Sequence, residues 1–84
     1  MRLRAEFTTE PFEGEGEPPA HAAVARDALR ESGLEPDFGP LGTAISGDRE
    51  AVLPALSAVL ERALEAGADR ITMQVSVDDT PLDG

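Results

Sequence analysis

Apolar positions fall in two rhythms along this chain. From Leu3 to Thr9 they alternate: Leu3, Ala5, Phe7 and Thr9 on one side, Arg4, Glu6 and Thr8 on the other. A period of two predicts a half-buried strand, and Pro11, with no N–H for a ladder, ends it. The rhythm then stops. Residues 12–19 hold Gly14, Gly16, Pro18 and Pro19 among Glu13, Glu15 and Glu17, which predicts a loop. From Ala20 to Ser32 the spacing becomes helical. Val24, Ala25, Ala28 and Leu29 share a face, Pro19 stands near the start, and Gly33 is a suitable residue just past the end. His21 is expected on the surface of that helix.

Glu35 to Phe38 reads as a short extended piece, followed by a Gly39-Pro40 break and a strand from Leu41 to Ser46 that Gly47 stops. Asp48 suits the N-cap of a long helix reaching Ala66. Its predicted apolar stripe is Val52, Leu56, Val59, Leu60, Ala63 and Leu64. Pro54 should loosen or bend its first turn, and Gly67 should close it. Asp69 to Val77 alternates again, with Ile71, Met73, Val75 and Val77 against Thr72, Gln74 and Ser76.

The order strand, helix, strand, strand, helix, strand predicts an α+β, ferredoxin-like domain over residues 1–79. Two right-handed crossovers interleave into a four-stranded antiparallel sheet with both helices on one face. Residues 80–84 make a polar tail. Two helices leave one sheet face open, and the pattern puts Glu6, Thr8, Thr72, Gln74 and Ser76 there, with Ala44 and Ser46 beside them.

Composition narrows the chemistry. Eighty-four residues make one domain, and small domains gain from self-association. With no Cys there is no disulfide, thiolate metal site or thiol nucleophile, and one His leaves little acid–base machinery. No metal site is expected: the acids at 13, 15 and 17 alternate with Gly14 and Gly16, which give no fixed coordination cage. The net charge of −10 disfavours nucleic acid. No apolar run reaches membrane-spanning length and no leader pattern opens the chain, so the expected place is the cytoplasm.

Several stretches resemble a known family. They are Ala5-Glu6-Phe7, Glu31-Ser32-Gly33-Leu34, the run from Gly39-Pro40-Leu41-Gly42-Thr43 to Gly47-Asp48, Glu65-Ala66-Gly67-Ala68-Asp69-Arg70-Ile71, and Val77-Asp78-Asp79. Together they resemble the small thiamine-binding (YkoF-like) family. The resemblance implies a ferredoxin-like fold and non-catalytic binding of thiamine or its hydroxymethylpyrimidine moiety. It also implies dimers through the sheets, paired into tetramers. Thiamine carries a flat pyrimidine and a cationic thiazolium. A carboxylate suits the cation, and Glu6 and Glu10 project from the open face. Phe38 and Phe12, beside breaks, are stacking candidates, whereas Phe7 belongs to the core. Gly42 lets backbone approach, and Thr43, Thr8, Ser46 and Gln74 offer hydrogen-bonding groups for the pyrimidine. The contrasting expectation is a structural or regulatory assembly domain that uses the same open face without a small ligand.

Overall fold

The computed structural model describes residues 1–11, 19–39 and 42–78. Its elements run β1 (Arg2–Glu10), α1 (Ala20–Glu31), β2 (Asp37–Gly39), β3 (Gly42–Asp48), α2 (Arg49–Glu65) and β4 (Arg70–Val77). All strand pairings are antiparallel, in the spatial order β2-β3-β1-β4. The long strands β3, β1 and β4 carry the sheet; β2 adds three residues beside the start of β3. The protein is therefore α+β, two helices on an antiparallel sheet.

The alternation along β1 is what builds the core. Leu3, Ala5 and Phe7 are buried, and antiparallel register puts Gly47, Ile45 and Thr43 opposite them on one flank and Val77, Val75 and Met73 on the other. Leu3, Ala5, Phe7 and Ile45 then meet Ala25, Ala28 and Leu29 of α1 and Val52, Ala55, Leu56 and Val59 of α2 in a single cluster.

Both helices end in the same way. Gly33 and Gly67 adopt positive φ, 82° and 111°, which costs a glycine little. This turns the Leu34 amide back onto the Leu29 carbonyl and the Ala68 amide onto that of Ala63, each at 3.0 Å. A second bond, Gly33 to Arg30 and Gly67 to Leu64, completes the motif in each case.

Three expectations from the pattern are corrected. Gly47 does not stop β3, which continues to Asp48. A Cβ at Gly47 would stand 3.2 Å from Leu34 Cδ2 and 3.5 Å from Val52 Cγ2. The glycine thus lets the helix layer settle onto a continuing strand. Second, the buried face of α2 is Val52, Ala55, Leu56, Val59 and Ala63. Leu60 and Leu64 stay 38% and 53% exposed, because the small Ala55 lets that side of the helix approach closely and rotates the leucines outward. Third, the apolar side of β4 is poorly covered: Ile71 and Met73 are half-buried, and Val75 and Val77 are exposed. Asp48 occupies the N-cap position of α2, but its side chain makes no capping hydrogen bond; the Arg49 amide donates to the Met1 carbonyl at 2.9 Å. The helix runs unbroken through Pro54.

Candidate functional site

The face of the sheet away from the helices carries the even-numbered residues of β1. Register aligns Arg4 with Ser46 and Ser76, Glu6 with Ala44 and Gln74, Thr8 with Thr72, and Glu10 with Arg70. Strand pairing therefore brings Glu6, Thr8, Ser46 and Gln74 together across β3, β1 and β4.

Glu6 lies at the centre. Its side chain keeps only 17% of its exposure, and Arg4, two residues back on the same face, donates from Nη2 to Oε1 at 3.2 Å. The carboxylate is thus held in place with one oxygen directed along the strand towards Arg4. The Gln74 position directly opposite is exposed and carries an amide that both donates and accepts.

Gly42 and Thr8 meet at the end of this face. Gly42 has φ +136°, and a Cβ there would fall 2.8 Å from the Phe7 carbonyl oxygen and 2.9 Å from Thr8 Oγ1. No side chain fits. The glycine lets the start of β3 close onto β1 and presses backbone against the Thr8 hydroxyl, so these two site residues adjoin.

Thr43 is not brought to this face. It pairs with Phe7 and shares parity with the buried Ile45, which places it on the helix side, half-buried. Phe38 pairs with Thr43 from β2. Phe12, the acids at 13, 15 and 17, the Pro40-Leu41 stretch and the tail at 80–84 lie outside the described residues.

His21 is the second departure. It is 4% exposed rather than on the surface, and Thr9 beside it is 7% exposed. Its Nδ1 lies 2.7 Å from Thr9 Oγ1 and its Nε2 3.0 Å from the Pro11 carbonyl oxygen. A carbonyl can only accept, so Nε2 carries a proton; in the neutral ring Nδ1 then accepts the Thr9 hydroxyl. The ring ties the end of β1 to the first turn of α1. The signal was present: His21 precedes Ala25 by four residues and Ala28 by seven, in phase with the buried face.

Arg62 of α2 grips Glu31 of α1 through two bonds of 3.0 and 2.8 Å. The hydrogen bonds from Arg62, and then its charge, hold the Glu31 carboxyl below the usual range; the same contacts raise Arg62. Among the described residues no group of His, Asp or Glu is arranged to hold a metal ion, and no helix is long and apolar enough to cross a membrane.

Comparison with known proteins agrees with this architecture. The sequence matches the family described as "Thiamine-binding protein" over residues 5–82. No curated protein matches it. Among solved structures, it is similar to a domain of unknown function from Bacillus cereus, at 17% identity and a TM-score of 0.66, over 99% of this chain and 80% of that one. It is similar to a hypothetical protein from Methanocaldococcus jannascii, at 18% identity and a TM-score of 0.67, over 99% and 84%. A third is a Thermotoga maritima protein named as a candidate for thiamine biosynthesis or salvage, at 16% identity and a TM-score of 0.64, over 95% and 85%. At such identities the likeness is one of fold.

Proposed function

The chain belongs to the thiamine-binding protein family, and from that premise we propose that it binds thiamine, or the hydroxymethylpyrimidine moiety, on the open face of its sheet without transforming it. The fold is read as ferredoxin-like: the order β2-β3-β1-β4 with two interleaved β-α-β crossovers supports it. The observation that carries the binding reading is Glu6. A carboxylate is held by Arg4 and partly desolvated at the middle of the face, beside the Gln74 amide and in line with the Thr8 hydroxyl. A thiazolium gains from such a charge, and a pyrimidine from neighbouring groups that donate and accept. Gly42 supplies close backbone at the same end. A cytoplasmic carrier in thiamine salvage, transport or homeostasis, assembled through the open face into a dimer or tetramer, fits this set.

Isothermal titration with thiamine tests it, with Glu6→Gln as the variant. Losing a charged hydrogen bond costs about 1.5–3 kcal/mol, roughly ten- to a hundredfold in affinity. Wild-type protein that has been freed of any ligand by unfolding and refolding, and that then gives no binding heat up to millimolar thiamine, overturns the reading. One observation favours the alternative, an assembly domain without a small ligand: Arg4 already supplies Glu6 with a cation. Native mass spectrometry separates the two, since a carrier retains a bound mass near that of thiamine.

A further inference from the structure

The open face is built in rows across β3, β1 and β4, and its charges are unevenly placed. Arg2 stands opposite Asp48, and its carbonyl accepts the Asp78 amide at 2.8 Å, so two acids flank it. Arg4 stands between Ser46 and Ser76, and Glu6 between Ala44 and Gln74. Same-face neighbours along a strand are about 6.6–6.8 Å apart, and diagonal positions on the next strand are within reach of a long side chain. Arg4 therefore has carboxylates in both directions. Glu6 lies one way along β1; Asp48 and Asp78 lie diagonally the other way.

The contact Arg4 makes with Glu6 is a loose one. It is a single hydrogen bond, from Nη2 at 3.2 Å, longer than a charge-assisted bond usually is. Arg62, by contrast, gives Glu31 two, at 3.0 and 2.8 Å. The Arg4 side chain is also 44% exposed, against 17% for Glu6. The guanidinium is wet and can leave at little cost, whereas the carboxylate is sunk in the face and stays. A thiazolium would ask the same of Glu6 as the guanidinium does, and the two cations repel at close range.

Resting on the thiamine reading above, we propose that Arg4 is the ligand's internal competitor. It covers Glu6 when no ligand is bound, and swings to the Asp48 and Asp78 end when thiamine takes its place. Binding is then an exchange of one cation for another. That makes Arg4 a specificity-determining residue. A ligand gains Glu6 only by bringing its own positive charge, and an uncharged pyrimidine leaves Arg4 where it is. Affinity for the cation is lowered by the share of the protein that has Arg4 on Glu6, so the arm sets how readily thiamine is held and given up.

Isothermal titration of refolded, ligand-free protein with thiamine and with hydroxymethylpyrimidine tests this on Arg4→Met, which keeps a long side chain and removes the charge. The variant should bind thiamine about tenfold more tightly, having lost both a competitor and a like charge beside the thiazolium. Affinity for hydroxymethylpyrimidine, which has no fixed charge, should change far less. Arg4→Lys, which restores a cation, should return thiamine affinity towards that of the wild type. The Arg4 side-chain Nε–H resonance gives a second reading on the unaltered chain, and decides the matter if Arg4→Met fails to fold: thiamine should shift it and hydroxymethylpyrimidine should not. Thiamine affinity that is equal or weaker in Arg4→Met, or an Arg4 resonance that stays in place at saturating thiamine, overturns the proposal and leaves thiamine binding standing. No heat from thiamine with either protein overturns the thiamine reading itself, and the exchange with it.

Discussion

His21 and Thr9 show how one buried polar pair can fix the junction of a strand and a helix. Both ring nitrogens have partners, and no buried side-chain nitrogen or oxygen among the described residues lacks one. Thr9→Val keeps the shape but leaves Nδ1 facing an apolar group. An abandoned buried acceptor costs about 1–3 kcal/mol, so the urea midpoint should fall accordingly with the slope unchanged. A variant as stable as the wild type would show that the bond contributes nothing. Residue by residue, the open-face set was readable where alternation alone decides the side, as for Glu6, Thr8 and Gln74. The same alternation, which sets Ala44 and Ser46 on the open face, leaves Thr43 with Ile45 on the helix side; what no local pattern encodes is the register that sets Glu6 opposite Ala44 and Gln74.

At the scale of elements, the sequence contained every helix and strand and both glycine stops, because periodicity and capping are local. The long helix was misphased for a related reason. Leucines and alanines lie all around α2, and hydrophobicity favours Leu60 and Leu64 over Ala55 for the interior. Packing prefers the residue small enough for close approach, so the structure buries Ala55 at 0% and turns the leucines out. The two helices are also joined by charge. Glu31 and Arg62 are well exposed, at 61% and 42% of their side chains, so solvent screens the pair and its effect is small. The sign is definite. A carboxyl held lower in the folded chain than in the unfolded one stabilises at neutral pH; that contribution fades as pH falls through the folded value. Glu31→Gln should therefore melt slightly below the wild type at neutral pH and level with it in acid. An equal gap at both would assign the difference to something other than the ion pair.

For the whole molecule, charge and shape pull against each other. Each copy carries −10, so two copies repel, while the open face offers surface to join. Added salt screens that repulsion. Sedimentation should thus show tighter association of any oligomer at high ionic strength than at low; looser association would mean that attraction between opposite charges outweighs the net repulsion. One last consequence comes from the imidazole at the head of α1. Because His21 joins the Thr9 hydroxyl to the Pro11 carbonyl, the two ends of the 12–18 segment are already held at a fixed separation by groups outside it. A guest peptide spliced between them would inherit a closed frame, and each doubling of its length would cost only about 0.6 kcal/mol of closure entropy. That makes this junction a natural port for transplanting foreign sequence without disturbing the sheet.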